Sequence, residues 1–99
     1  MSKTINYTPD QSLPRELAAP PTTDGNKKSR EFIRAWFDGQ KVDVAIQPNV
    51  APRPEAIGII LADIVKHTCV AHGHAFPTSA GDDAEKIMEV LLSELGATE

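Results

Sequence analysis

Three histidines and one aspartate are the residues of this chain most able to do chemistry. Asp63 and His67 lie four residues apart, so on a helix both side chains would project from one face and could reach one metal ion. His72 and His74 follow closely, and zinc requires three or four such ligands that converge. The sequence has no cysteine pair and no His-Glu-x-x-His pattern. We therefore interpret Asp63 and His67 as a structural pair at the edge of a buried helix face, and His72 and His74 as surface residues. We expect neither a metal nor another cofactor.

A cysteine nucleophile is the second chemical possibility. Cys69 is the single cysteine, and it lies within an apolar segment. A reactive thiol requires exposure and a lowered pKa, whereas a cysteine at a packing position of a helix is usually a small buried hydrophobe. The sequence contains no glycine-rich phosphate loop and no recognisable serine–histidine–carboxylate motif. We identify no catalytic residue and favour a protein without catalysis of its own.

Arg34 and Trp36 lie on the same face of a predicted strand as Phe32 and form the other half of the candidate site. An arginine beside aromatic rings can stack on single-stranded nucleic acid. The net charge of −4, with six acidic residues and one lysine between Asp82 and Glu99, disfavours a phosphate backbone as partner. We therefore expect no nucleic-acid partner. The candidate interaction or ligand site consists of Arg34, Trp36, Asp63 and His67.

A β-hairpin must position the first two of these residues. Apolar and polar side chains alternate from Glu31 to Gln47 around Asp38-Gly39. This dipeptide favours a two-residue type I′ turn, in which both residues have positive φ. The cross-strand pairs that this turn predicts are Arg34 with Asp43 and Trp36 with Lys41. The predicted apolar face consists of Ile33, Ala35, Phe37, Val42, Val44 and Ile46.

Two helices are predicted after the hairpin. The first begins at Pro54, which suits a first helical turn, and ends before Gly73. The second begins with Asp82 as its N-cap and ends at Gly96. The apolar stripe of the first helix is Ile57, Ile60, Leu61, Ile64, Thr68 and Ala71. The stripe of the second is Ala84, Ile87, Met88, Leu91, Leu92 and Leu95.

The predicted fold class is therefore α+β, in the order β-β-α-α, with both helices packed on the antiparallel hairpin. Residues 1–29 hold four of the eight prolines and no apolar periodicity, which predicts a flexible N-terminal arm. Residues 30–99 then form a single small α+β domain. An alternative for the arm is a short added strand through Ile5 and Tyr7.

Composition also predicts location and partners. The lone cysteine and the lack of a secretion signal favour the cytoplasm. No run of 18 apolar residues exists, so we expect no membrane partner. Trp36 and Phe32 lie on the sheet face away from the presumed core, and both hairpin edges are open. We expect a homodimer that serves oligomerisation or binds an unidentified protein. The alternative is a small-ligand or metal-binding protein that uses Asp63 and His67.

A family resemblance supports this organisation. Arg34-Ala35-Trp36, then Asp38-Gly39, then the run from Ala56 to His67 resemble a small alphaproteobacterial family, domain of unknown function 5076. The similarity covers about residues 29–95, and its most specific part runs from Gly58 to His67. The matching positions in that part are Gly58, Leu61, Asp63 and His67. The chain departs at Ile57, where an aromatic residue is common, and it has no tryptophan after the last helix. The resemblance implies the fold and implies no activity or cofactor.

Overall fold

The computed structural model describes residues 7–96, which form two compact units. The first unit extends to Val50 and contains a two-stranded antiparallel sheet; the second begins at Ala51 and contains two α-helices. This order confirms the predicted α+β class. The packing of the helices on the sheet stays a prediction, as does the division into a flexible arm and a single domain of residues 30–99. Ile5, proposed for an added strand, lies outside the described residues.

The sheet pairs strand β1, Ile33–Phe37, with strand β2, Val42–Ile46. Ile33 lies opposite Ile46, and Phe37 lies opposite Val42. The two strands therefore share the apolar face that the alternation predicts. The predicted pairs are nevertheless wrong, because Arg34 lies opposite Ala45 and Trp36 lies opposite Asp43.

The position of the turn explains this error. The N–H of Asp38 donates to the carbonyl oxygen of Lys41 at 3.3 Å. The side-chain Oδ1 of Asp38 accepts hydrogen bonds from the backbone N–H groups of Gln40 and Lys41, each at 2.9 Å. Gly39 has a φ of +109°, whereas no non-glycine residue among residues 7–96 has positive φ. The turn is thus centred on Gly39-Gln40. The cross-strand partner moves by two residues, which keeps every side chain on its predicted face.

Helix α1 spans Pro54–Ala75, so its predicted end before Gly73 is wrong. A glycine inside a helix costs only about 1 kcal/mol relative to alanine, and the local packing outweighs that cost here. Phe76 closes the helix by donating its N–H to the carbonyl oxygen of His72 at 2.9 Å. The ring of Phe76 also lies 4.6 Å from the ring of His72. These contacts involve residues on both sides of Gly73, and they extend the helix beyond it.

Helix α2 spans Ala80–Glu94 and follows a short 3-10 turn at Pro77–Ser79. The predicted N-cap at Asp82 is wrong, because Asp82 lies inside the first helical turn. A carboxylate there still complements the positive end of the helix dipole. The predicted end at Gly96 is confirmed: this glycine has a φ of +78°, and its N–H donates to the carbonyl oxygen of Ser93 at 3.0 Å.

The burial of the two helices agrees in part with the predicted stripes. The predicted residues that are half-buried are Ile57 and Ile60 of α1 and Ala84, Ile87 and Leu91 of α2. The half-buried residues in the second half of α1 are Val65, Cys69, His72 and Gly73. Those of α2 are Asp83, Ala84, Ile87, Val90 and Leu91. The members of the predicted stripes that stay exposed include Leu61, Ile64, Met88, Leu92 and Leu95.

Helix α1 is long and apolar enough to cross a membrane by length and composition, with a mean hydropathy of 1.3 over its most apolar window. We expected no such helix, because the sequence has no run of 18 apolar residues. Core helices of water-soluble proteins also meet this criterion, but those are mostly buried, whereas 0% of this window is buried. The absence of a membrane partner therefore stays a prediction.

Candidate functional site

Arg34 is held in place by acidic residues of its own unit. Its Nε donates to Oε2 of Glu31 at 2.8 Å, and its Nη2 donates to Oε1 of the same carboxylate at 2.9 Å. Oε1 of Glu16 lies 3.7 Å from Nη1 of Arg34. The hydrogen bonds from Arg34 lower the pKa of Glu31, and in turn they raise the pKa of Arg34. Two of the five N–H donors of Arg34 are taken by Glu31, and a second carboxylate lies nearby, so the local negative charge makes Arg34 a poor anchor for an added anion.

Trp36 lies beside this cluster, with the guanidinium carbon of Arg34 5.9 Å from the centre of its ring. Both residues line an open cleft of about 490 Å³ whose other wall comes from residues 15–20. A second open cleft, of about 890 Å³, lies between residues 8–15 and the turn end of the hairpin and is also lined by Trp36. The N-terminal residues therefore cover much of the face that we predicted to be open for a partner.

Tyr7 adds a further contact between the N-terminal segment and the hairpin. Its N–H donates to the carbonyl oxygen of Gly39 at 3.2 Å, and its ring meets the ring of Phe37 edge-on at a centroid distance of 5.8 Å. No strand forms at this residue. The contacts place the segment against the turn, where a side chain on Gly39 would collide with it.

Asp63 and His67 lie on one face of α1, as predicted. Their Oδ2 and Nε2 atoms are 3.7 Å apart, and the side chains are 65% and 76% exposed. We expected this pair at the edge of a buried face, whereas it is a surface contact that water screens. Within residues 7–96, no group of three metal-ligating side chains converges. The pair belongs to the helical unit, whereas Arg34 and Trp36 belong to the unit that contains the sheet.

The sequence did not reveal a contact between the two helices. Nδ1 of His72 in α1 lies 3.4 Å from Oδ2 of Asp83 in α2, and the two side chains are 38% and 31% exposed. We had interpreted His72 as a surface residue, and the structure shows it half-buried between Asp83 and the ring of Phe76. The four-residue spacing of His72 and Phe76 would have indicated their mutual contact only in a helix that continues past Gly73. The link to Asp83 depends on the placement of α2, which the sequence does not encode locally.

The amino-acid sequence of the chain matches a known family over most of its length. The domain of unknown function (DUF5076) matches residues 16–98 of the chain. The chain belongs to this family. The match confirms the resemblance over the hairpin and both helices, and the DUF5076 family carries no described activity.

No curated protein matches the chain. One solved structure, described as "a putative pyruvate dehydrogenase" from the photosynthetic bacterium Rhodopseudomonas palustrus, matches with a TM-score of 0.61 and 24% sequence identity. The match covers 86% of this chain and 86% of that chain. At this identity the likeness shows the fold alone.

Proposed function

We propose that this DUF5076 chain is a small interaction module that forms a homodimer and has no catalysis of its own. The observation that carries the proposal is the exposure of β2. Its apolar residues Val42, Val44 and Ile46 are 56%, 48% and 57% exposed. Apolar side chains concentrated on one strand mark a surface that a partner covers.

The helical unit has a surface of the same kind. The exposed large apolar side chains of its two helices are Ile59, Leu61, Ile64, Val70, Met88 and Leu92. Of the large and small aliphatic residues that the structure describes, Ala51 is the one that is buried, at 8% exposure. A helix pair that is apolar on its outer side as well as its inner side is typical of a subunit interface.

The free energy of burial favours association of two chains over a monomer. Burial of a fully exposed valine, leucine or isoleucine side chain contributes about 1.5–3 kcal/mol, and a side chain that is already half covered gains about half of that amount. Loss of translational and rotational freedom costs about 4–15 kcal/mol for a complex. Because a two-fold interface buries each contributing side chain twice, a few of these residues are enough to offset that cost.

A membrane is a poorer partner for the same surface. Asp63 and Lys66 lie at the middle of α1, and each charge would cost about 2.5–3.5 kcal/mol at the centre of a bilayer. The lone Cys69 agrees with a reducing compartment, and the proposed location is the cytoplasm. A protein surface can cover Leu61 and Ile64 without burying these charges, because Asp63 and Lys66 lie on a different face of α1 at helical spacing.

No observation favours a metal or ligand site strongly enough to form a second proposal. Asp63 and His67 have no third ligand beside them among the described residues, and Arg34 is occupied by Glu31. The enzyme name of the solved structure belongs to that protein.

The test of this proposal is the mass of the purified full chain in solution. Light scattering at micromolar concentrations should give twice the chain mass of 10.7 kDa, or about 21 kDa. Dilution should reduce this value toward one chain if the dimer is reversible. A mass of one chain at every concentration tested would contradict the proposal.

A further inference from the structure

We propose that two copies of the chain pair through their β2 strands, antiparallel and centred on Val44, to form a four-stranded sheet. This inference rests on the homodimer proposed above and identifies its interface. It follows from the direction of the backbone groups of β2, the order of charges along the strand, and the position of Pro48.

The hydrogen bonds at the ends of the hairpin determine which backbone groups of β2 point outward. The N–H of Gln47 donates to the carbonyl oxygen of Phe32 at 2.8 Å, and the carbonyl oxygen of Lys41 accepts from Asp38 at 3.3 Å. In an antiparallel pair, successive residues direct their backbone groups to alternate sides. The odd-numbered residues of β2 therefore bond to β1. Val42, Val44 and Ile46 direct their N–H and C=O groups away from it.

This outer edge of β2 is open in the described part of the chain. The sheet contains two strands, and no backbone hydrogen bond from another segment of residues 7–96 reaches the edge. The residues with outward backbone groups are also those with exposed apolar side chains. One edge thus offers a row of unpaired donors and acceptors together with an apolar face, a combination that favours pairing with another strand.

A second copy of the chain can satisfy this edge completely. In a symmetric antiparallel pair centred on Val44, Val44 faces itself and Val42 faces Ile46 of the second copy. Every one of these residues then meets a residue whose backbone groups also point toward the partner. The five residues of β2 overlap over their whole length, and the apolar faces of both hairpins continue across the new pair.

Charge and proline exclude the neighbouring registers. A pair centred on Asp43 would place two carboxylates directly opposite each other, which is destabilising. A pair centred on Ala45 would place Pro48, which has no N–H, opposite Val42. The Val44 register places Asp43 opposite Ala45. Each Asp43 also has its own counter-charge, because Nζ of Lys41 lies 3.8 Å from its Oδ1.

Cysteine crosslinking of the full-length chain tests this register. All variants carry Cys69→Ala, so that an introduced cysteine is the only thiol. In the proposed pair the Cα atoms of residue 44 are about 5.5 Å apart, within the roughly 4.4–6.8 Å that a disulfide spans. Val44→Cys should therefore form a covalent dimer on mild oxidation or with a short bifunctional thiol reagent.

Val42→Cys and Ile46→Cys are the matched controls. Each introduced thiol would lie about 14 Å along the strand from its own copy in the partner, because four residues of about 3.4 Å separate them. Neither variant alone should crosslink, whereas an equimolar mixture of the two should crosslink strongly. Circular dichroism and the fluorescence of Trp36 confirm that each variant is folded.

The possible outcomes separate this inference from the homodimer proposal. A dimer by light scattering that no cysteine at 42, 44 or 46 crosslinks would overturn the edge pairing and leave the homodimer intact. Efficient crosslinking of Val42→Cys alone, without Val44→Cys, would overturn the register. A chain that is monomeric at all concentrations would contradict both proposals. Crosslinking of Val44→Cys and of the mixture, without the single controls, supports the Val44-centred sheet.

Discussion

The β-hairpin and the helix pair leave apolar surface exposed for different physical reasons. A helix satisfies its own backbone hydrogen bonds, so α1 and α2 lack only side-chain contacts on their outer faces. A two-stranded sheet leaves half of its backbone groups unpaired at its edges, so β2 lacks both side-chain and backbone partners. The hairpin thus requires a partner of defined geometry, whereas the helices accept any apolar surface. The difference suggests that the hairpin determines which partner is chosen.

The two regions also differ in how they use polar residues. In the unit with the sheet, Asp38 closes the turn and Glu31 holds Arg34, so short-range polar contacts fix the local conformation. In the helical unit, His72 and Asp83 provide a contact between elements. Trp36 is the single tryptophan and lies in the first unit, whereas the long helices dominate far-ultraviolet circular dichroism. Each unit therefore has its own spectroscopic signal.

Gly39→Ala should cause the largest loss of stability, and the loss should fall on the unit that contains the sheet. A Cβ at residue 39 would collide with the carbonyl oxygen of Tyr7 and lie 3.3 Å from Cα of Thr8. Alanine would also be strained at a φ of +109°. We therefore expect the free energy of unfolding to fall by about 2–4 kcal/mol, which is at or above the usual range for strained residues. Urea unfolding followed by Trp36 fluorescence measures it. Gly25→Ala, with no atom within 4 Å of its new Cβ, is the control and should change little.

The same variant shows whether the two regions are independent. If the helices of Gly39→Ala, followed by circular dichroism, unfold at the same midpoint as those of the parent chain, the helix pair is stable by itself. If fluorescence and circular dichroism shift together, the units unfold as one, and the contrast drawn between them does not hold for stability.

Leu91→Ala should have the next largest effect. Leu91 is half-buried in α2, so we expect a loss of about 2 kcal/mol, the low end of the range for fully buried leucines. Leu95→Ala is the matched control, because Leu95 is 71% exposed and should lose little. Thermal unfolding by circular dichroism measures both. A loss of about 4–5 kcal/mol for Leu91→Ala would instead indicate that a partner completes its burial.

Gly58→Ala should have a smaller effect in the opposite direction. Gly58 lies inside α1, and no atom lies within 4 Å of an added Cβ. Alanine is about 0.5–1 kcal/mol more favourable than glycine in a helix interior, so stability should increase by about that amount. A decrease would show that a partner approaches α1 closely at this position. Dilution of the variant then distinguishes a lost dimer contact from a contact within the chain.

Acid should affect the hairpin before the helices. The hydrogen bonds from the backbone N–H groups of Lys41 and Gln40 lower the pKa of Asp38 below its ordinary value of 3.8. A group with a lowered folded-state pKa stabilises the fold above its unfolded pKa, and that contribution is lost as the pH falls through the folded value. Trp36 fluorescence should therefore change below about pH 4, ahead of the helical signal. Asp38→Asn, which keeps an oxygen acceptor, should reduce this dependence.

Zinc should have no measurable effect on either region. Asp63 and His67 form an exposed contact without a third ligand among the described residues. Titration calorimetry with zinc chloride should detect no tight site, and His67→Ala should behave as the parent chain does. Stoichiometric binding that His67→Ala abolishes would contradict this and support the ligand-binding alternative.

The sequence could predict which side chains share a face of the sheet, but not which residues pair across the strands. Alternation along each strand predicted the apolar face of the hairpin, because a two-residue error in register leaves faces unchanged. The pairs were wrong, because the side-chain hydrogen bonds of Asp38 moved the turn. The end of α1 was wrong because Gly73 was interpreted without its neighbours. The contact between His72 and Asp83 required the relative placement of two helices, which depends on packing and not on local pattern.

The unequal lengths of the helices have a consequence for local opening. At 1.5 Å per residue, the 22 residues of α1 extend about 33 Å and the 15 residues of α2 about 22 Å. Because His72 lies beside Asp83, the end of α2 at Glu94 comes level with about Leu61, and the first two turns of α1 extend beyond its partner. Deuterium uptake by the backbone amides should therefore be graded along this single helix. It should be slow beside α2 and progressively faster toward Pro54.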